Sequence, residues 1–433
     1  MADPTLHPDE EIIEGGPLIE DNPAGAARAL FIGILLLMAG NGLQGSLIGV
    51  RAETEGFSVT VAGFVMAAYF GGFLFGSRVA ETLIANVGHI RVFAGLASMA
   101  STAVLIHALF IDPVTWGLMR FMTGVCMAGL YVTEESWLND LATNKTRGRL
   151  LSIYMVVTMG GMTIGQFLLD VADPDGVKLF LLASVLVSAS LIPVVLSAAS
   201  NPPLAVPETM SLRELADIVP TGIVTAFFNG ASVGVLMGLG AVYAVAADVP
   251  DSRLAVFLAA PLFGSMLLQW PIGAVSDRVS RRGVIVVVAL VALGTCVALA
   301  AVPARSWAAV GLMTVLGAVS FPIYSLTIAY SADWLPTSKL TSGSAVLVRV
   351  SGVGAFVGPL VATVVIGATA PVAYFWCMAV GNLTIALFVV WRIVVADAPD
   401  TQRRFVAFPA RASAGAVALM RGQRKRIDDG ASP

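Results

Sequence analysis

Runs of about 20 apolar residues, the length of helix that crosses a bilayer core, recur along this chain and limit what it can fold into. They occupy residues 28–50, 58–80, 90–110, 114–137, 149–169, 177–198, 219–246, 254–276, 283–302, 306–329, 342–367 and 370–393. In lipid every backbone N–H and C=O must be satisfied within the chain, which leaves helices and closed barrels. The alternating segments of about 10 residues that build a barrel do not occur. Hydrophobic residues make up 57% of the chain and charged residues 12%, against roughly 25% charged in soluble domains. The expected fold class is an all-α membrane protein with twelve transmembrane helices.

Positive charge sorts the loops, because cytoplasmic segments retain Lys and Arg. Twelve spans put both termini on one side. With the termini inside, the inner face gathers Arg28, Arg78, Arg91, Lys145, Arg147, Arg149, Arg213, Arg278, Arg281, Arg282, Lys339 and Arg392, and the outer face holds only Arg51, Lys178, Arg253 and Arg305. The expected location is the bacterial inner membrane, multi-pass, with both termini cytoplasmic. Residues 1–26 read as an acidic cytoplasmic tail, the reverse of a basic secretory leader. Residues 27–198 and 219–394 read as two six-helix bundles. Between them, residues 199–218 form a cytoplasmic linker in which Pro202, Pro203 and Pro207 break the apolar pattern and Ser211 to Glu214 opens a short amphipathic helix as a capping box. Residues 395–433 read as a basic cytoplasmic tail whose arginines would lie against anionic membrane lipid.

The residues speak against catalysis. His7, His89 and His107 are scattered through a tail, a loop and a helix end with no nucleophile beside them, so no acid–base set is visible. Cys126, Cys296 and Cys377 show no metal-ligand spacing and read as small core residues. The expectation is no catalytic residue, no metal, no cofactor and no nucleic-acid partner, in a monomer whose partners are a small-molecule solute, protons and lipid.

After the eighth run stands Gly273-Ala-Val-Ser-Asp277-Arg278-Val-Ser-Arg281-Arg282. The glycine admits close helix approach, the aspartate can accept from arginines, and the basic cluster holds the loop inside. This G-x-x-x-D-R-x-x-R-R pattern resembles the signature loop of the major facilitator superfamily, and with twelve spans and a central linker the resemblance covers essentially the whole membrane region. It implies two pseudo-symmetric six-helix bundles, and gating roles for Gly273, Asp277, Arg278, Arg281 and Arg282. The equivalent first-half loop has no aspartate in place, so a latch there must use other residues, with Arg78, Glu81 and Arg91 the candidates. The stretches AGNGLQGSLIGVRA, GHIRVFA, EESWLND and NKTRGRLLSIYMV resemble the YcaD-like branch of the superfamily.

The fourth run carries Arg120-Phe-Met-Thr-Gly124, similar to an R-x-x-x-G pattern that the resemblance links to coupling or substrate binding. Glu134 and Glu135 follow; Glu135 lies about 22 Å further along a helix than Arg120, too far for a direct pair. These glutamates, with Asp333, are the acidic candidates for coupling or gating, and Arg78, Arg91, Arg147 and Arg149 are their expected partners. On the family's pattern a cavity is lined by the first, fourth, seventh and tenth spans. That singles out Asn41, Gln44, Arg120, Asn229, Tyr243 and Tyr324, with Arg349 of the eleventh span as a second embedded cation. Embedded arginines without a deep carboxylate in the first or seventh span favour an anionic or zwitterionic solute. The expected function is secondary active transport of a small organic solute by alternating access with proton coupling; a multidrug or metabolite efflux antiporter and a non-transporting sensor or scaffold are the alternatives.

Overall fold

The structure, a computed structural model, describes residues 23–142, 146–196 and 210–396. Most of both expected tails and the proline-rich part of the linker therefore lie outside the described residues.

Local chemistry sets where the helices start and turn. Ser58 accepts from the Val61 N–H at 3.3 Å and opens α2 (Val59–Val87), and Ser306 accepts from the Ala309 N–H at 3.1 Å and opens α12 (Trp307–Trp334). Such caps satisfy N–H groups that a helix start leaves unpaired. A single residue, Gly88, joins α2 to α3 (His89–Leu109); its φ of +89° is a backbone setting that glycine adopts without steric cost. The first half is completed by α1 (Pro23–Thr54), α4 (Pro113–Leu141), α5 (Arg147–Phe167), α6 (Lys178–Ala189) and α7 (Leu191–Val195). The last two are one span, interrupted at Ser190. Pro193 lacks the N–H that would continue the helix from Ala189, which accounts for a break that the apolar run does not announce.

The second half begins with the short linker helix α8 (Leu212–Ile218), capped by Ser211 accepting from the Glu214 N–H at 3.1 Å. It continues through α9 (Pro220–Ala246), α10 (Asp251–Ser276), α11 (Arg281–Ala301), α12, α13 (Leu340–Ala368) and α14 (Ala373–Val395). Among the described residues, 11 stretches are long and apolar enough to cross a membrane. The twelfth long helix is α4, with 29 residues, packed along α2 and α3. Its apolarity is diluted by Arg120, Glu134 and Glu135.

Packing repeats between the halves. Within the first, α1 meets α5 and α6, α2 meets α4, and α3 meets α4 and α6; within the second, α9 meets α13 and α14, α10 meets α12, and α11 meets α12 and α14. The small residues that permit this repeat as well: Gly161 and Gly165 of α5 lie against the α1 backbone, and Gly354 and Gly358 of α13 against the α9 backbone. Absent side chains let the helices approach to backbone contact, which is how membrane helices gain packing energy without a hydrophobic drive. Across the halves, α2 packs on α13 and α9, α5 on α10, and α1 on α9.

Candidate functional site

The cross-half contacts define a closed end. Gly49 of α1 abuts Ala241 of α9, Gly63 of α2 abuts Thr363 of α13, and Gly367 of α13 abuts Thr60 of α2. All three lie toward the end of the molecule that carries the α1–α2 turn, opposite the linker. Nearer the middle, Phe356 meets Gly71, Phe70 meets Gly238, and Leu74 meets Gly352. This end is called the sealed end and the other the linker end.

Beneath the seal runs a file of buried polar groups. By helical rise, Gln44 lies about 7 Å, Asn41 about 12 Å and Asn229 about 18 Å below the Gly49–Ala241 contact. All three are buried, and among the described residues Nε2 of Gln44 and Oδ1 of Asn229 meet no hydrogen-bond partner. Tyr324 of α12 is buried with its hydroxyl likewise unmatched. Buried polar atoms are nearly always satisfied, which sets this grouping on the first, seventh and tenth spans apart.

Toward the linker end the file meets carboxylates. Glu134 and Glu135, on the last two turns of α4, are 0% and 1% exposed. Tyr154 of α5 donates to Oε1 of Glu135 at 3.3 Å. Tyr131, one turn before the glutamates, donates to Sδ of Met38 on α1 at 3.1 Å. Among the described residues neither carboxyl oxygen of Glu134 meets a donor. Of the expected partners, Arg78, Arg91 and Arg149 are exposed, and the Arg147 side chain lies outside the described residues. Tyr131 and Tyr154 escaped the sequence reading because a tyrosine in an apolar run carries no spacing signal.

The other expected solute contacts are dispersed. Arg120 does not reach the surface: it is 3% exposed and its guanidinium carbon lies 4.6 Å from the centre of the Tyr69 ring, a cation–π arrangement strengthened by burial. Tyr243 lies three residues before the sealed end of α9, away from the midplane position the cavity reading gave it. There it stacks on Tyr374 at 4.7 Å between centroids and meets Phe375 edge-on at 4.8 Å. Its phenyl ring is part of an aromatic core, which explains its burial without a solute. Arg349 is exposed on α13, outside the polar file.

The signature loop is a latch. Arg281, the first residue of α11 and 1% exposed, donates to Asp277 Oδ1 at 2.9 Å, to both Asp333 carboxylate oxygens at 2.9 and 2.8 Å, and to the Ala329 carbonyl at 2.8 Å. It thereby ties the ends of α10 and α12 to the start of α11. Asp333, expected as a coupling or gating acid, is paired here with Arg281. Arg282 donates to the Arg392 and Ala396 carbonyls at 3.1 and 2.8 Å and lies over Tyr330 and Trp334, each at 5.8 Å. Gly273 is buried, and Arg278 points to solvent.

In the first half the same place is held by a histidine and a serine. His89 opens α3 as Arg281 opens α11, and Ser136 precedes Trp137-Leu138 as Asp333 precedes Trp334-Leu335. His89 Nε2 and Ser136 Oγ are 2.8 Å apart, and the imidazole stacks on Trp137 at 5.8 Å. Of the residues expected to replace the latch, Arg78 and Arg91 are exposed and the Glu81 side chain lies outside the described residues; His89 with Ser136 stands at the place of Arg281 and Asp333.

Two pseudo-symmetric bundles of membrane-length helices, sealed at one end over buried unmatched polar groups, define a polytopic solute transporter. The sequence profile of the Major Facilitator Superfamily matches residues 30–220 and 222–424, and the chain belongs to that family. Its relatives include an uncharacterized MFS-type transporter of Enterobacter sp. (strain 638), 26% identical over 76% of this chain and 86% of that one. The uncharacterized MFS-type transporter YcaD of Escherichia coli (strain K12 / DH10B) is 25% identical over the same shares. A nucleoside transporter NupG mutant shares the fold with a TM-score of 0.73 at 12% identity, over 84% of this chain and 99% of that one. A bacterial homolog of the human lysosomal transporter Spinster, inward-facing and unoccupied, does so with 0.64 at 16% identity, over 95% and 99%. The human organic anion transporter MFSD10 follows with 0.59 at 13% identity, over 85% and 99%. The chain is therefore a multi-pass membrane transporter of a small-molecule solute and not an enzyme.

Proposed function

We propose that this protein carries a small organic solute, anionic or zwitterionic, across the bacterial inner membrane by alternating access, and that Glu134 takes up and releases a coupling proton. The observation that carries the coupling is the burial of both Glu134 oxygens without a donor, beside the Glu135–Tyr154 contact. A carboxyl group with no partner to surrender exchanges its proton with the least rearrangement, and a membrane-embedded acid marks a functional path by default. The solute sits along Gln44, Asn41, Asn229 and Tyr324, where donor and acceptor atoms are buried and unmatched. Arg120 supplies the positive field that favours anionic groups. Solved proteins of the same fold include a nucleoside transporter and an organic anion transporter, which agrees with a polar solute. In this cycle the contacts at the sealed end close one side of the polar file, and the linker end is its other side. By the distribution of Lys and Arg that end is cytoplasmic, with both termini and the linker inside.

The test is a thermal-shift screen of purified protein against small organic anions, amino acids and sulfonates, followed by flux of each hit into proteoliposomes with and without a proton gradient. Gradient-driven accumulation should vanish in Glu134→Gln while solute counterflow persists, since the neutral amide mimics one protonation state. Flux that ignores the gradient, or accumulation intact in Glu134→Gln, removes the coupling assignment. Unchanged flux in Arg120→Ala removes the anion preference.

A further inference from the structure

The α2–α13 seam runs at one register. Thr60 meets Gly367, Gly63 meets Thr363, Gly71 meets Phe356 and Leu74 meets Gly352, stepping in opposite directions along two antiparallel helices. One further turn toward the linker end, four residues on α2 and three on α13, brings Arg78 opposite Arg349. Both side chains are exposed. Among the described residues neither takes part in an ion pair, although a cation in a membrane helix ordinarily finds one.

Depth narrows what can sit between them. Each helix has 29 residues, about 43 Å, against a hydrocarbon core of about 30 Å, so each end projects about 6 Å beyond the core. Arg78 lies nine residues before Val87 and Arg349 nine residues after Leu340, hence about 13 Å from the helix ends and about 7 Å inside the core boundary. An arginine stem spans that distance, which puts both guanidinium groups at headgroup level. The pair is confined to this seam. Gly72 packs on the Phe121 carbonyl as Gly264 packs on the Thr314 carbonyl, so the place of Arg78, six residues on, is taken in the second half by Trp270, 76% exposed.

We propose that Arg78 and Arg349 form an oxyanion site spanning the two halves at the linker end of the α2–α13 seam, taking a phosphate group from a phospholipid headgroup or from a soluble anion. Two guanidinium forks at one register repel when empty and clamp a tetrahedral oxyanion when filled, so occupancy would draw the halves together at this level. This site is separate from the polar file and does not depend on the solute carried.

The test follows thermal unfolding of the full chain in neutral detergent while two probes are titrated at matched ionic strength: dioctanoyl phosphatidylglycerol and inorganic phosphate, with dioctanoyl phosphatidylcholine as control lipid. The expected result is a rise in Tm with at least one probe beyond that with the control lipid. Arg78→Gln and Arg349→Gln should each cut the rise by at least half, and Arg213→Gln on the linker helix should leave it intact. A response to the lipid alone names a headgroup, and a response to phosphate names a soluble anion. No rise in the parent chain, a rise undiminished in both glutamine variants, or an equal loss in Arg213→Gln overturns the proposal. Should a glutamine variant fail to fold, Arg78→Lys and Arg349→Lys replace it: a weakened response supports the paired forks, and an undiminished one in both overturns them.

Discussion

Arg281 holds both carboxylate oxygens of Asp333 through one nitrogen, Nη1, at 2.9 and 2.8 Å, with the arginine 1% exposed and the aspartate side chain 0%. The two residues are 52 positions apart and join the start of α11 to the end of α12. Buried pairs of this kind are costly to break from one side, because the partner is left charged and unpaired. Asp333→Asn should therefore cost about 3–5 kcal/mol of stability, and the joint replacement Arg281→Met with Asp333→Leu should cost less than either single change. Unfolding in detergent, followed by tryptophan fluorescence, measures both. A double variant as unstable as the sum of the singles would mean that the pair is not the unit that matters.

The first-half counterpart offers a transplant. His89 and Ser136 occupy the positions of Arg281 and Asp333, with Nε2 and Oγ 2.8 Å apart. Placing Arg at 89 alone buries a charge beside the Ser136 hydroxyl and should destabilise. His89→Arg with Ser136→Asp should recover much of the loss, with a coupling energy of about 1–3 kcal/mol, the range for residues in contact. A double-mutant cycle on Tm checks it, and additive losses would show that the two latches are not structural equivalents.

Much of this architecture could be read from the chain, and the failures have physical reasons. Apolar runs announce spans because lipid demands them, so the long helices and the linker cap at Ser211 were accessible. Arg281 and Asp333 were each singled out, but a pairing across 52 positions has no local signal. The His89–Ser136 latch did have one: the echo of Ser136-Trp137-Leu138 in Asp333-Trp334-Leu335 aligns Ser136 with Asp333, and asking what aligns with Arg281 leads to His89. Tyr243 was misplaced because span membership says nothing about depth or face, and three residues decide whether a tyrosine lines a cavity or stacks in a core. For the same reason Arg349 was grouped with Arg120, although one lies exposed at a seam and the other is buried over Tyr69.

The linker helix should loosen in acid. Lys339 donates to Glu214, and this contact holds the Glu214 carboxyl below its ordinary value of 4.5. A carboxyl depressed in the folded state adds stability that is present above the unfolded value and is lost as pH falls through the folded one. The contact should hold down to about pH 4.5 and fail below it, with α8 amides gaining hydrogen exchange first. The side chains are 41% and 37% exposed, so salt should weaken the effect. Glu214→Gln should remove the pH dependence of exchange in α8, and an unchanged profile would assign it elsewhere.

The seal between the halves can be forced open by volume. Gly63 stands against the Thr363 side chain and Gly49 against Ala241, so a larger side chain at either position fits only if the two halves part at that end. Overpacking of a close contact costs about 1–3 kcal/mol, and about 1.4 kcal/mol shifts a two-state equilibrium tenfold. Gln44, 3% exposed beneath the seal, is a suitable reporter: Gln44→Cys in a chain whose Cys126, Cys296 and Cys377 are replaced by alanine should react slowly with an impermeant maleimide supplied from the sealed side. Adding Gly63→Leu should raise that rate about tenfold and lower labelling from the linker side in inverted vesicles. A rate that stays level from both sides would show that the α2–α13 contact does not govern access to the polar file.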